Sequence, residues 1–482
     1  MLKFKKSAAA TIAVALLFAA CGGNGGTAVV APEAAPAAET PVAEATEPAE
    51  NVPDEPAQEF VRDLGGREIR LLSWWQYWIE SGDPAPDPAT ASNFYFEMMF
   101  WENMQRVERD FNVTFVAPQM GFDELLPALT ASVMAGDPIA DMFYLGAPQT
   151  FSAIMGNLIH PASDFAPAGA DLTGPRNFVL PRSEFDGEIW SFDRNEPEVH
   201  GMGLGVNLDI IDAIGMENPA NLYERGEWTW DAMREIIIRA TRDTTGDGVI
   251  DEFGISGQPG DIFLQLIASN DGQLVDTATR TYGFDHPNTL RALEFAFDIF
   301  NTYSAWYYDS GDPGNMGDWN RNYFSFREGR SALFPAATWS LVDGLSFRHS
   351  FVPFPQGPDN QRGYVRMAGF TQGIVIPLGV PNPQDVYLMF EEIMSWPGDD
   401  PLLAHEGVME YARTAFLTEA DVQRMLRIGE NFKFDIGMAV HGYYWVLGEF
   451  ASAFRSGEMT VMQAVETHRH PQQAMLDEVF GN

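Results

Sequence analysis

Between Glu68 and Leu145 the chain switches repeatedly between two incompatible periodicities, and this narrows the fold more than any other feature. Glu68-Ile69-Arg70-Leu71-Leu72-Ser73 has the spacing of a short strand; after a Pro-rich loop, Asp83 to Pro88, the segment Phe94 to Phe111 has helical spacing. Asn112 to Val116 then alternates as a strand does. Phe122 to Ala135 returns to the helical repeat, and Gly136-Asp137-Pro138 stops it before a third strand, Ala140 to Leu145. Side chains change face every two residues in a strand and every 3.6 in a helix, so these segments cannot exchange roles. Strand, helix, strand, helix, strand with short links predicts an α/β fold: a mainly parallel sheet, helices on its faces, and ligands beyond the carboxyl ends of the strands.

The segments before this run cannot join its core. Thr27 to Glu59 is almost entirely Ala, Pro, Glu, Thr and Val, with eight acids and no lysine or arginine. Such a composition stays extended and solvated, so residues 21–59 are expected to be a tether. Ahead of it stand Lys3, Lys5 and Lys6, an uncharged run of 13 residues from Ala8 to Ala20, and Leu17-Phe18-Ala19-Ala20-Cys21. The run is shorter than the ~20 residues a spanning helix needs, and it ends on small residues that suit a peptidase. Residues 1–20 thus read as a signal peptide and Cys21, the only cysteine, as a thiol awaiting diacylglycerol. Two acyl chains hold a protein to a membrane where one does so only marginally. The Cys-Gly-Gly-Asn-Gly-Gly run resembles Gram-positive lipoproteins, which implies the outer face of the cytoplasmic membrane.

With 68 acidic against 29 basic residues the chain carries a formal charge of −39, and losing the leader's three lysines makes it more negative. Phosphate backbones would be repelled, which excludes nucleic acid as a partner. The remaining body, from about Phe60 to Asn482, is long enough for two lobes of ordinary domain size.

The ordered segments of this body resemble extracellular solute-binding proteins of the maltose-binding type. The likeness is carried by Glu108-Arg109-Asp110-Phe111-Asn112-Val113-Thr114-Phe115, Ala135-Gly136-Asp137-Pro138-Ile139-Ala140-Asp141-Met142-Phe143, Asp186-Gly187-Glu188-Ile189-Trp190, Gly205-Val206-Asn207-Leu208-Asp209, Trp228-Thr229-Trp230-Asp231, Phe326-Arg327-Glu328-Gly329-Arg330, Val352-Pro353-Phe354-Pro355 and Phe454-Arg455-Ser456-Gly457. The resemblance implies a two-lobed periplasmic-binding-protein-like fold of type II, with residues 60–195 and 366–430 in one lobe and 196–365 and 431–482 in the other. It implies further that a ligand between the lobes closes the hinge, and that an ABC permease in the membrane reads the closed, monomeric form.

A sugar presents apolar C–H faces and equatorial hydroxyls, so its site needs aromatic rings beside polar groups. Trp74, Trp75 and Gln76 follow the first strand, and Tyr144 ends the third. Trp339 occupies the place of the family's stacking tryptophan, Tyr444 and Trp445 that of a later stacking ring, and His200 that of a polar contact. Phe370, Thr371 and Gln372 lie at the second crossing. Trp228 and Trp230 open a helix and are expected to pack it down. No cofactor is required by this reading. One metal-like motif stands out: Asp243, Asp247 and Asp251 are spaced as in EF-hand calcium loops, but Thr245 replaces the acid at the third ligand position and Gly254 the bidentate Glu at the twelfth. Structural calcium and a solvated turn both fit. A surface glycoside hydrolase with paired carboxylates and the ligand-binding subunit of a sensor are the rival functions, but no nucleophile elbow, His-Glu-x-x-His helix or phosphate loop supports an enzyme.

Overall fold

The alternation read from residues 68–145 folds almost as spaced. The computed structural model describes residues 62–75, 80–88, 94–165, 184–193, 202–307, 319–341, 345–368, 372–394, 409–410 and 412–481. The leader, Cys21 and the tether lie outside the described residues, as do Gln76, His200, Phe370 and Thr371. Phe60–Asn482 forms one compact unit.

The unit begins with β1 (Arg67–Leu72), α1 (Phe94–Phe111), β2 (Val113–Val116), α2 (Phe122–Met134), β3 (Met142–Leu145) and α3 (Ala147–Met155). A hairpin follows, β4 (Glu184–Phe185) and β5 (Glu188–Ile189). Its two-residue turn needs left-handed backbone at both positions, and Asp186 and Gly187 supply φ values of 54° and 84°. The chain continues through β6 (Gly203–Asn207), α4 (Leu208–Ala213), α5 (Pro219–Glu224), α6 (Trp230–Ala240), β7 (Phe253–Ile255) and α7 (Pro259–Ser269). Next come β8 (Val275–Asp276), β9 (Thr281–Tyr282), α8 (Pro287–Phe297), α9 (Trp319–Arg327), β10 (Ser331–Ala336), α10 (Thr338–Leu341) and β11 (His349–Val352). The last elements are β12 (Arg366–Ala368), β13 (Gly373–Val375), α11 (Pro383–Met394), α12 (Glu419–Glu430), β14 (Phe432–Phe434), α13 (Val446–Ser456) and α14 (Val461–Phe480).

Two four-stranded sheets result, in the orders β13-β3-β1-β2 and β11-β6-β10-β7. In the first, β1 runs parallel to β2 and β3, and β13 returns antiparallel to β3. In the second, β10 is parallel to β7, while β6 is antiparallel to both β10 and β11. Period-two alternation sorts each strand's side chains between two cores. Ile69, Leu71 and Met142 face the layer that holds Val107 of α1 and Phe390 of α11; Leu72, Phe143 and Leu145 face Leu125, Leu129 and Phe151. In the second sheet Leu204, Val206, Leu333 and Val352 pack with α6 and α7, and Phe334, Ala336 and Phe351 pack on the opposite side with Val422 and Met425 of α12. Side-chain caps start the helices where the sequence suggests: Asn207 accepts from the N–H groups of Asp209 and Ile210, and Thr229 from that of Ala232.

The lobe boundary expected at residue 430 is corrected. Arg366–Ala368 pairs with Phe432–Phe434 and packs on α7, and α12 lies against β11. Both segments therefore belong with the second sheet. The reason is a buried polar network: the Asp421 carboxylate accepts from the Ser350 hydroxyl (2.7 Å), the Phe351 N–H (3.0 Å) and Arg424, whose Nε donates to the Phe351 carbonyl (2.9 Å). Asp421 and Arg424 are 2% and 5% exposed, so an unpartnered charge there would be costly. Arg424→Ala is expected to destabilise the protein by about 3–5 kcal/mol, because it strands Asp421 without its cation. Urea unfolding measures this; a loss below about 1 kcal/mol would show that α12 is not anchored by this pair.

Candidate functional site

Both sheets gather aromatic side chains at one edge. At the carboxyl end of β1, half-buried Trp74 packs edge-on against Phe122 (5.1 Å between ring centroids) and tilts against Tyr144 (5.1 Å). Trp75 meets Tyr144 edge-on at 5.8 Å and keeps 37% of its surface exposed. Tyr144 itself is buried, and its hydroxyl donates to Asp193 Oδ2 at 3.2 Å. The expectation that Tyr144 presents a ring to a ligand is therefore corrected: it is the support under the two tryptophans. Gln372, exposed just ahead of β13, belongs to the same edge because Gly373 pairs with Leu145.

On the second sheet a pocket is lined by Met202, Gln258, Asp261, Tyr323, Phe334, Pro335, Ala337 and Trp339. These residues converge for a topological reason: β7 and β10 run parallel and end on the same side, and the antiparallel β6 begins there. Trp339, on α10, is 42% exposed. The enclosed space is only about 20 Å³, room for a single water. This is one wall of a site rather than a chamber. Tyr444 is half-buried and close enough for the charge of Asp261 to reach it: desolvation pushes its phenol up, a hydrogen bond with the Trp445 side chain pulls it back, and the Asp261 carboxylate pushes it up further. Trp445 is 54% exposed and packs edge-on against His441.

Asp261 was not singled out from the sequence, yet it is the most distinctive group here. It sits in the first turn of α7. The positive end of a helix favours an anion by ~0.3–1 kcal/mol. Burial pushes the carboxyl up to about 6, even though part of the residue's surface remains open to solvent. No hydrogen bond or ion pair satisfies it among the described residues. Asp435 is pushed equally far by burial, but its carboxyl accepts from the N–H groups of Leu274 (2.7 Å) and Gly437 (2.9 Å). The rule that ligands sit beyond the carboxyl ends of strands points to residues 256–261, which follow β7 directly.

The other expected sites resolve differently. Trp228 and Trp230 are buried, with their indole N–H groups donating to the Pro353 carbonyl and the Ser269 hydroxyl. In the 243–251 loop, Asp243 accepts from the N–H groups of Thr245, Gly246 and Gly248, Asp247 from that of Val249, and Asp251 from the N–H and hydroxyl of Thr244. These bonds, led by that from Gly248, hold the Asp243 carboxyl below its ordinary value. Among the described residues no group of three or more acidic, His or Cys side chains converges to hold a metal. A larger groove, about 530 Å³, runs between the β8–β9 hairpin and α14, and its arginine is already engaged. Arg469 is paired with Asp285 and Glu466, and Gln473 accepts from the Tyr282 N–H.

No family model and no curated protein matches the sequence. Solved structures do. An ABC substrate-binding protein from Listeria monocytogenes in complex with cycloalternan superposes with a TM-score of 0.60 at 13% identity, over 86% of this chain and 99% of that one. A maltose/maltodextrin-binding domain from Bdellovibrio bacteriovorus bound to maltotriose gives 0.59 at 13% identity over 86% and 100%. A cyclic alpha-maltosyl-1,6-maltose binding protein from Arthrobacter globiformis gives 0.60 at 15% identity, again over 86% and 100%. At these identities the shared property is the architecture: this chain has the two-lobed α/β fold of the maltose-binding type of solute-binding protein.

Proposed function

We propose that the protein is the substrate-binding component of an ABC importer, capturing a carbohydrate by hinge closure and delivering it to a membrane permease. The observation that carries this is the shallow wall formed by exposed Trp339 with Tyr323 and Asp261, at the carboxyl edge of the second sheet. Exposed ring faces beside a carboxylate suit a sugar's C–H faces and hydroxyls. A wall that encloses almost nothing alone is suited to meeting a second wall, and the first sheet offers Trp75 at its corresponding edge. Similarity to binders of cycloalternan and maltotriose supports the same ligand class.

On this reading the protein is a monomer that binds without turnover. Thermal-shift screening of an oligosaccharide panel, followed by calorimetry, is expected to find a binder recovered unhydrolysed. Trp339→Ala should weaken it tenfold or more, equivalent to ~1.4 kcal/mol. An undiminished affinity would remove Trp339 from the site, and catalytic consumption of the sugar would replace the binding role with an enzymatic one.

The anchor is proposed at Cys21, with residues 21–59 giving the body reach from the outer face of the cytoplasmic membrane. Cys21→Ser is expected to move the protein from the membrane fraction to the medium; retention on the membrane would count against lipidation. The 243–251 loop is read as a solvated turn without a required metal. Calorimetric titration of chelator-treated protein should give no heat up to millimolar calcium, and a saturable signal would reverse that assignment.

A further inference from the structure

Two described ionisable side chains line the Trp339 pocket, the Asp261 carboxyl and the Tyr323 phenol, and no hydrogen bond or ion pair partners Asp261 among the described residues. The other described residues of the wall are Met202, Gln258, Phe334, Pro335, Ala337 and Trp339, so among the described residues it holds no lysine, arginine or histidine. Arg327 is engaged with Tyr323, donating to its hydroxyl at 2.8 Å and lying over its ring at 5.3 Å. From the 443–445 turn the group within electrostatic reach is again a phenol, Tyr444.

We propose that the ligand of this pocket is a saccharide bearing a protonated amino group, seated with its ammonium against the Asp261 carboxylate among the Trp339 and Tyr323 rings. The proposal rests on the carbohydrate-binding reading and narrows it. Hydroxyl groups of a neutral sugar would satisfy the carboxylate's lone pairs but leave its charge uncompensated as the site closes. A partly desolvated anion is stabilised far more by an opposite charge in contact with it. An ammonium also gains from aromatic faces, by ~0.5–1 kcal/mol when exposed and ~2 or more when desolvated. The excess of 68 acidic over 29 basic residues favours the encounter with a cation. Among the described residues Asp261 has no partner, where Asp421 and Asp435, at other buried positions, have theirs.

The test compares glucosamine oligomers with glucose oligomers of the same length and linkage, in both the α-1,4 and β-1,4 series, by calorimetry near pH 6.5 on the folded mature protein and on Asp261→Asn. In at least one series the amino sugar is expected to bind the wild type tenfold or more tighter than its neutral counterpart, and Asp261→Asn to reduce that advantage below threefold. Should neutral oligomers bind the wild type as tightly as their amino counterparts, the inference fails while the carbohydrate reading stands. An advantage that survives unchanged in Asp261→Asn overturns the assignment to this carboxylate. Binding of neither kind sinks the carbohydrate reading and this inference with it. The wild-type comparison reads the preference even if the variant does not fold.

Discussion

The arrangement of the site depends on a covalent constraint: Ala368 ends a strand packed in the second lobe, and Gln372 stands directly before β13 in the first. Four chain steps span at most about 14 Å. The tie holds particular edges together. Gly373 pairs with Leu145, at the carboxyl end of β3 and beside the Trp74–Tyr144 contact. On the other side, the Met367 N–H donates to Gln265 of α7 at 2.9 Å, and Asp261 lies one turn earlier on the same helix face. The chain therefore leaves the second lobe from the helix that carries the pocket's carboxylate and enters the first at the edge that carries its tryptophans.

Away from these edges, several buried polar groups find their partners inside the protein. The Asp421–Arg424 network, Asp435 under its backbone N–H groups, and the indoles of Trp228 and Trp230 all pair internally. Trp75, Trp339 and Trp445 stay exposed, and Asp261 is desolvated with no partner among the described residues. Leaving large rings in water forgoes ~1.5–3 kcal/mol of burial apiece, and an unbalanced carboxylate costs stability besides. Trp339 and Asp261 meet in one pocket, and such departures from local consistency mark where structure has been given over to function.

The fold was legible because it rests on patterns. Strand and helix periods from Glu68 to Leu145 act over a few residues and the elements appear where the spacing places them; the Asp186-Gly187 turn and the caps at Asn207 and Thr229 are equally local. What the sequence hid was long-range. The move of α12 to the second sheet depends on Ser350 and Phe351 meeting Asp421, some 70 residues away. Tyr144 looked like an exposed ring at a strand end, and only the packing of Trp74 and Trp75 over it shows otherwise. Asp261 is one acid among 68, with no motif around it.

The same distinction explains how 13–15% identity accompanies a TM-score near 0.6. Sheet pairing needs alternation, helix packing needs a stripe, and a cap needs any of several small polar residues; many sequences meet these demands. Ligand chemistry is less forgiving. One carboxylate with or without a cation beside it changes which molecule the pocket can hold, because a buried charge requires a specific partner where a buried methyl group does not. Architecture shared with oligosaccharide binders thus says little about the charge of the ligand. That information resides in Asp261 and in a wall, shared with Trp339, that carries no basic side chain among the described residues.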